Sequence, residues 1–393
     1  MIDTISAGGG AELMARTIAM RLDPARFERS YWVTRVTSPE TRASVDDLTA
    51  TGVATYELDR ASMASIWAWS PFISFLRRRR VDVLHAHKFG SNVWAAILGR
   101  LAAVPVVIAN EHTWSYEGQP LRRFLDRELI SRAADVVLAV SEQDRRRMIE
   151  IEGIDPVTIR VLPIAPWAFG LHSPSNGSID LRKDLQIPAE VPVLGAVGGL
   201  RAQKAYEVLI QASAPLAAEF PGLRVLIVGR GPEEPRLRRL IVELGLEETV
   251  SLLGRWDAAR IPDFLLALDI AVNCSDYEGT PASIVEFMAA GLPVVATDVG
   301  GTAEVVQHGV NGLLVGRRDV TGLAGAIAEL LRDPEKRRRM GDLGHERQQR
   351  EFDVSVLVRR LEDLYESLWA ASKDARRAKP SPARPHARGT LAV

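Results

Sequence analysis

The chain has 393 residues, a formal net charge of -1 and a sequence pI of about 6.7, so no strong overall field favours nucleic acid as a partner. Hydrophobic residues make up 47% and charged residues 25%, which is typical of globular proteins and excludes a collagen-like or fully disordered chain. The length predicts roughly two to three domains, each long enough to bury its own core.

Targeting and redox signals are sparse. Cys274 is the only cysteine, so an internal disulfide is excluded and a reducing compartment is favoured. The amino terminus lacks a basic stretch followed by a long apolar run, and apolar segments such as residues 104–109 are too short to span a bilayer. We therefore expect a cytoplasmic protein whose only contact with a membrane is peripheral, on the inner face of the plasma membrane.

Short apolar, β-branched runs alternate with amphipathic stretches through the first half of the chain. The predicted strands of this half are residues 31–36, 53–57, 81–85, 106–109, 136–140 and 158–162. The predicted helices between them are residues 11–21, 65–79, 92–102 and 121–133. Strands that are apolar on both faces and separated by helices indicate a parallel sheet covered on both sides.

The second half repeats this alternation. Its predicted strands are residues 193–197, 224–228, 250–253, 270–273 and 294–297, and its predicted helices are 206–218, 233–244, 261–268 and 284–290. The alternation pauses between Pro163 and Pro192, in a stretch rich in proline and polar residues. The sequence therefore predicts two Rossmann-like α/β domains, residues 1–165 and 192–353, joined by a linker at 166–191.

The two ends of the chain differ in character. Residues 354–371 have helical periodicity and are predicted to form a helix that packs back on the first domain, whereas the Arg-, Pro- and Ala-rich residues 372–393 are predicted to be disordered. At the front, only residues 1–5 precede the glycine run 8–10. The first strand is therefore either very short or begins upstream of this sequence.

The strongest chemical signal lies at residues 276–297. A predicted strand ends in a loop that contains Glu278 and Gly279, and a helix begins near Ala282. The carboxyl end of a parallel strand beside a helix N-terminus is where α/β sheets bind ligands, and its exposed N–H groups attract phosphate. Glu286, about one turn inside the helix, can accept hydrogen bonds from ribose hydroxyls, and Glu278 from those of a sugar. Judged locally, an ordinary βα loop with a buried capping glutamate is an alternative interpretation.

This block resembles the E-x7-E region of the retaining GT-B glycosyltransferases of family four, and further blocks resemble that family in the same order along the chain. They are residues 8–12, 85–87, 104–112, 135–141, 197–210, 225–232, 300–304 and 311–315. The resemblance implies a GT-B fold, in which two Rossmann-like domains with parallel sheets face each other across a cleft. It also implies a hexosyltransferase that uses a nucleotide-diphosphate-sugar, without a cofactor, in cell-surface polysaccharide or glycoconjugate synthesis.

The resemblance also implies roles for residues of the second domain. Glu286 would bind the donor ribose, and Glu278 would contact the transferred sugar or stabilise its cationic transition state. Lys204 would neutralise the leaving diphosphate. The backbone amides that would hold this diphosphate belong to Gly279, Thr280 and Ile284.

On the first domain, the resemblance places His112 close to the donor sugar, although a capping or partly buried histidine is an equally good local interpretation. Gly9, Gly10 and His87 would lie on the acceptor side, towards a glycan, lipid-linked or small-molecule acceptor. His85 and His87 point the same way on a strand, but no third ligand cluster and no Asp-x-Asp triplet is evident. A metal site is therefore not expected.

Three positions depart from the family pattern. Gly199 stands where the family usually has an arginine, and Arg201 is a candidate to reach the same phosphates. Ala205 replaces the usual glycine after the lysine, and residues 163–165 read Pro-Ile-Ala instead of Pro-Asn-Gly. These departures keep open a degenerate, non-catalytic member that binds nucleotide-sugar or acts as a partner subunit. A sugar-nucleotide epimerase or a phosphorylase is less favoured, because no clear acid/base or cofactor residue is evident.

Basic clusters raise an anionic membrane surface as a further partner. Arginines occupy residues 77–80, and Trp67, Trp69 and Phe72 stand close by in the sequence. A basic helix that carries aromatic residues can lie on anionic lipid. The alternative interpretation is that the arginines form a solvated helix face and the tryptophans belong to the core.

Overall fold

The structure is a computed structural model that describes residues 2–3, 10–34, 39–58, 66–112, 119–163 and 180–378. The first sheet has seven parallel strands: β1 (Ile2–Asp3), β2 (Ser30–Val33), β3 (Ala54–Glu57), β4 (Val83–His87), β5 (Val106–Asn110), β6 (Val136–Ala139) and β7 (Ile159–Val161). Their order is β3-β2-β1-β4-β5-β6-β7, so the direction of winding reverses between β1 and β4. Such a reversal is where doubly wound sheets bind ligands.

The second sheet repeats this plan with six parallel strands: β8 (Val193–Val197), β9 (Arg224–Val228), β10 (Val250–Leu252), β11 (Ile270–Asn273), β12 (Val294–Thr297) and β13 (Gly312–Val315). Their order is β10-β9-β8-β11-β12-β13, and the winding reverses between β8 and β11. The two parallel sheets predicted from the sequence are therefore present.

Helices connect the strands and cover both sheets. In the first half they are α1 (Gly10–Arg21), α2 (Pro39–Ala50), α3 (Ser70–Arg78), α4 (Phe89–Leu101), α5 (Pro120–Leu125), α6 (Ser131–Ala133) and α7 (Glu142–Arg147). In the second they are α8 (Leu181–Asp184), α9 (Tyr206–Glu219), α10 (Glu234–Glu243), α11 (Ile261–Leu266), α12 (Ala282–Ala289), α13 (Thr302–Val305), α14 (Val320–Arg332), α15 (Pro334–Arg347) and α16 (Val354–Ala378). Short 3-10 helices occupy Ile66–Trp69, Pro156–Thr158, Ala202–Lys204 and Ala258–Arg260, and π-helical turns occupy Asp126–Ile130, Met148–Glu152 and Gln348–Phe352.

The last helix, α16, follows the second sheet in sequence but packs on the first. Leu357, Leu361 and Tyr365 join a core with residues of α1, β5 and β6. Glu362 accepts hydrogen bonds from the Asp23 N–H (2.8 Å) and from Arg26 Nη1 (2.6 Å). The helix continues to Ala378, so residues 372–378, assigned to a disordered tail from the sequence, are helical; the rest of that tail lies outside the described residues.

The predicted linker at 166–191 is partly structured. Residues 164–179 lie outside the described ranges, but α8 follows them, and Leu181 and Ile187 pack into a core of the second domain. Arg182 fixes this segment by donating a hydrogen bond to Asp269 Oδ2 at 2.7 Å. The second domain therefore begins about ten residues before its predicted start at 192.

The aromatic residues near the first arginine cluster are divided between core and surface. Trp69 and Phe72 are buried in the first domain, whereas 89% of Trp67 is exposed. Of the three aromatic residues in the predicted membrane-binding patch, two are therefore buried in the core and unavailable to lipid. A membrane-crossing helix is absent from the described ranges, since none there combines sufficient length with sufficient apolar character.

We predict that Leu361→Ala lowers the stability of the first domain. Leu361 is fully buried in the core shared by α16 and the first sheet, and truncating such a leucine costs about 2–5 kcal/mol. Urea unfolding followed by circular dichroism measures the loss, with Leu343→Ala, at an exposed position of α15, as the control. Equal midpoints for the two variants would contradict the docking of α16.

Candidate active site

The site is built at the reversal of winding in the second sheet, where β8 and β11 are neighbours. Two segments follow these strands: the lysine turn, defined here as residues 198–205 after β8, and the Glu278 loop, residues 275–281 after β11. Both leave the carboxyl edge of the sheet, so polar groups far apart in sequence meet there.

Glu278 is held by three donors that converge on one of its oxygens. Its Oε1 accepts hydrogen bonds from Lys204 Nζ at 2.5 Å, Ser275 Oγ at 2.6 Å and Asn273 Nδ2 at 3.4 Å. Its side chain is 8% exposed and that of Lys204 is 21% exposed, so the ion pair is shielded from bulk water. The pair links β8 to β11 and fixes the direction of both charged groups.

The lysine turn is held in place by its backbone conformation and by side chains that donate to backbone carbonyls. Ala205 adopts a left-handed conformation with φ +45°, which a glycine would adopt without steric cost. Cys274 Sγ donates to the Lys204 and Ala205 carbonyls at 3.3 and 3.4 Å, and Gln203 Nε2 donates to the Tyr277 carbonyl at 2.9 Å. Burial raises the pKa of the Cys274 thiol to about 12, so this cysteine is a structural residue.

The Glu278 loop presents backbone donors without acceptors. Within the described part of the chain, the N–H groups of Glu278, Gly279 and Thr280 donate to no protein atom, and α12 begins directly after them. Such a group of N–H donors at a helix N-terminus favours a phosphate. The Ile284 N–H, also expected to hold the diphosphate, donates to the Pro281 carbonyl at 3.0 Å in this ligand-free structure.

Glu286 lies in α12, half-buried and facing the same site. Burial raises the pKa of its carboxyl group to about 7, against the opposing effect of nearby Lys204. Among the described residues, no side chain donates a hydrogen bond to this carboxylate. It is therefore an acceptor ready for a ligand that brings its own hydroxyl donors.

Arg201 lies beside the position at which the family usually has an arginine. A Cβ atom built on Gly199 would lie 3.7 Å from Arg201 Nε and 3.8 Å from its Cγ, both ordinary contacts. Arg201 is exposed, and Lys204 is on the same turn. The turn therefore carries two cations, and a Cβ atom at position 199 would make only ordinary contacts.

A salt-bridge cluster beside the site was not anticipated from the sequence. Asp276 accepts hydrogen bonds from Arg317 Nε at 3.1 Å and from Arg318 Nε at 2.9 Å. These two arginines hold the pKa of the Asp276 carboxyl below its usual value, against the opposing effect of burial. The cluster ties the start of the Glu278 loop to the segment after β13, and no motif in the sequence pairs these residues.

The first domain contributes a row of buried histidines. His87 Nδ1 lies 2.9 Å from His112 Nε2, and His85 Nδ1 lies 2.6 Å from the Tyr365 hydroxyl on α16. Burial lowers the pKa of His112 to about 3 and those of His85 and His87 well below the ordinary value. All three imidazoles are therefore neutral, and the fully buried His87 packs against both His85 and His112.

The acceptor-side glycines are only partly described. Gly10 is the first residue of α1, and Gly9 lies outside the described residues. At the same edge of the first sheet, Lys88 after β4 pairs with Glu12 in the first turn of α1. No group of three or more His, Cys, Asp or Glu side chains in the described ranges is arranged to hold a metal ion.

Two family models match the chain. The model of glycosyl transferases group 1 matches residues 178–347, and that of glycosyltransferase family 4 matches residues 8–164. The first match covers the lysine turn and the Glu278 loop, and the second covers the histidine row.

Curated relatives agree with these matches. The D-inositol 3-phosphate glycosyltransferase of Thermobispora bispora is 30% identical over 79% of this chain and 77% of its own length. The match to the Nocardia farcinica protein of the same name is 33% identical and spans 57% of this chain but only about half, 51%, of that protein. N-acetyl-alpha-D-glucosaminyl L-malate synthase of Bacillus anthracis is 31% identical over 50% of this chain and 51% of its own length.

Solved structures share the whole architecture. Anabaena HepE in complex with UDP has a TM-score of 0.81 and 25% identity, covering 93% of this chain and 98% of that one. Sucrose-phosphate synthase from Thermosynechococcus elongatus has a TM-score of 0.75 at 23% identity, covering 94% of this chain and 96% of that one, and supports the fold alone. The protein is therefore a GT-B glycosyltransferase that belongs to family 4.

Proposed function

We propose that the protein is a retaining, metal-independent glycosyltransferase that takes a sugar from a nucleotide-diphosphate-sugar, with UDP-sugars as the donor class. The observation that carries the proposal is the Lys204–Glu278 pair beside three backbone N–H groups without acceptors. This arrangement offers a cation, a carboxylate and an anion-binding loop within one site. The Anabaena HepE structures in complex with UDP and with UDP-glucose support this donor class.

Each part of the donor matches a group of the site. The ribose hydroxyls would donate to Glu286, which has no protein donor in the described chain. The diphosphate would accept from the N–H groups of Gly279 and Thr280 and from Lys204 Nζ. Arg201 would add the second cation that the family usually places at position 199. With two cations in place, a divalent metal is not required to neutralise the leaving group.

The chemistry then needs no covalent enzyme intermediate. The bond between the sugar C1 and the diphosphate oxygen breaks, and its electron pair leaves with the diphosphate. The acceptor hydroxyl oxygen bonds to C1 on the same face, and its proton passes to the departing phosphate oxygen. Glu278 stabilises the positive charge that develops on the sugar, and Lys204 the negative charge on the diphosphate. Proton NMR of the product, with an anomeric coupling unchanged from the donor, checks retention.

The acceptor would enter from the first domain. We propose a glycan, lipid-linked or small-molecule hydroxyl compound, in cell-surface polysaccharide or glycoconjugate synthesis; relatives named for D-inositol 3-phosphate and L-malate support the small-molecule class.

We also propose peripheral binding to the inner face of the plasma membrane in the cytoplasm, supported by exposed Trp67 near the arginines at 77–80. Cosedimentation with anionic vesicles, lost in Trp67→Ala, would support it.

A non-catalytic nucleotide-sugar-binding protein is the second candidate. The observation that favours it is Gly199, which removes one of the two cations of the family pattern. Binding without turnover in the experiments below would identify this function, because the donor site would then be intact and the transfer chemistry absent.

We predict that Glu286→Ala weakens nucleotide binding without unfolding the protein. UDP at 100 times its dissociation constant should stabilise the wild type by about 2.7 kcal/mol, an easily measured shift in melting temperature. Losing a carboxylate that accepts ribose hydrogen bonds costs about 1.5–3 kcal/mol, so affinity should fall about 10- to 100-fold. Differential scanning fluorimetry with UDP, other nucleoside diphosphates and UDP-sugars measures both effects.

The matched control is Glu248→Ala, an exposed glutamate between α10 and β10, which should keep the full shift. EDTA should leave the shift unchanged if no divalent metal is needed. A well-folded wild type that responds to no nucleotide would overturn the donor site, and a shift lost in EDTA would overturn metal independence.

We predict that the two cations of the lysine turn contribute separately to turnover. Removing Lys204 should lower kcat about 10²- to 10³-fold, because a fixed charge on the leaving group is lost. Arg201→Ala should lower it less, and the Gly199→Arg/Arg201→Ala double variant should recover activity, since a Cβ atom fits at position 199 and two of its three contacts are with Arg201. UDP release from a UDP-sugar is the measurement.

Arg239→Ala on exposed α10 serves as the control for charge alone and should match the wild type. If Arg201→Ala is as active as the wild type and Gly199→Arg changes nothing, Arg201 does not replace the family arginine.

A further inference from the structure

The Glu278 loop touches the first domain directly. Thr280 Oγ1 donates a hydrogen bond to the Val140 carbonyl at the end of β6. A Cβ atom built on Gly279 would lie 3.0 Å from Val140 Cγ2 and 3.2 Å from the His112 carbonyl oxygen. Only a residue without a side chain fits this approach easily, so the loop forms the contact surface between the two domains as well as the proposed phosphate site.

Two glycines, Gly300 and Gly301, contact the backbone of this loop directly. The Gly301 N–H donates to the Gly279 carbonyl at 2.8 Å. Gly300 has φ +57°, and a Cβ atom there would lie 1.7 Å from the Glu278 carbonyl oxygen, which no side chain permits. The segment that begins at Gly300 is therefore packed backbone to backbone against the Glu278 loop.

Glu304 extends from this segment into the first domain. Its Oε2 accepts a hydrogen bond from the Glu142 N–H at 2.8 Å, and its Oε1 from the Gln143 N–H at 3.0 Å. Its own carbonyl accepts from Arg347 Nη2 at 2.8 Å, which anchors the residue to the second domain. One side chain therefore joins the two domains through both of its carboxylate oxygens.

The partner surface is the N-terminus of α7, which continues without a break into the π-helical turn Met148–Glu152. The first N–H groups of a helix have no acceptor within the helix. Ser141 Oγ takes only the Asp144 N–H, at 3.0 Å, so the N–H groups of Glu142 and Gln143 remain for Glu304. A carboxylate at this end of a helix is also favoured by the helix dipole.

A second carboxyl group lies beside this contact. Asp144 is buried next to Glu304, and its Oδ2 has no hydrogen-bond partner in the described chain. Burial raises the pKa of this carboxyl group, and repulsion by the like charge of Glu304 adds to the rise. Arg147 opposes this repulsion from one turn further along α7. A crevice of about 310 Å³ borders Glu304, Thr280 and Arg360.

We propose that Glu304 is a positioning residue that latches the two domains together over the donor during transfer. By accepting the two free N–H groups of α7, it holds the Glu278 loop against His112 and Val140, where donor and first-domain groups must meet. The inference rests on the proposed function for its catalytic consequence, but the latch itself is a structural contact that can be measured without turnover.

Hydrogen exchange tests the latch first. In the wild type, the backbone amides of Glu142 and Gln143 should be protected. In Glu304→Ala they should exchange about 10- to 100-fold faster, because each loses a hydrogen bond to a charged acceptor. Glu304→Asp, which keeps the charge on a shorter side chain, should restore part of the protection. The control is Glu219→Gln, whose carboxylate pairs with Arg332 within the second domain and should leave these amides unchanged.

Kinetics then test positioning. Glu304→Gln should lower kcat about 10-fold while the dissociation constant of UDP stays within about twofold, since the groups proposed to bind the nucleotide belong to the second domain. Unchanged exchange in Glu304→Ala would overturn the latch. Faster exchange with unchanged kcat would overturn its role in transfer. A wild type that shows protected amides but no turnover would count against the proposed function and leave the latch standing.

Discussion

The site depends on the ion pair between Lys204 and Glu278. The two residues follow β8 and β11, the strands between which the winding of the second sheet reverses. Both charges are partly removed from water, so each is stabilised by the opposite charge of its partner. The pair joins the segments that follow the two strands. A ligand that brings a diphosphate offers Lys204 a second anion and leaves Glu278 to Ser275 and Asn273, which already bind the same oxygen.

The first domain repeats this arrangement. Its winding reverses between β1 and β4, and Lys88 after β4 pairs with Glu12 in the helix that follows β1. Each domain therefore places a lysine–glutamate pair at its own reversal point. The two pairs differ in what surrounds them: neutral, buried histidines lie beside the first, and backbone N–H groups lie beside the second. This difference favours phosphate binding by the second domain.

Much of the fold could be predicted from the sequence because apolar strands are a local signal. Buried runs such as β9 and β12 stand out by composition alone. The helix α2 was missed because it is polar, with Val45 and Leu48 as its buried residues, and β13 because it is a short edge strand with two half-buried residues. The position of α8 and the length of α16 depend on docking partners distant in sequence, which periodicity cannot reveal.

The candidate site could be predicted only in part, because some of its contacts join residues that are distant in sequence. Glu278, Glu286 and Lys204 lie in blocks that resemble the family, so a motif pointed to each. Glu304 also lies in such a block, but its contact with α7 exists only when the two domains meet. The same holds for Asp276, whose arginine partners follow β13. The position of Arg201 beside Gly199 needed three-dimensional geometry to support what the sequence only suggested.

The most direct test of the account is a crystal structure of the protein with UDP bound. We expect the ribose to lie on Glu286, the diphosphate on the N–H groups of the Glu278 loop, and Lys204 Nζ within hydrogen-bonding distance of a phosphate oxygen. UDP bound elsewhere, or bound with Lys204 still engaged only by Glu278, would contradict it.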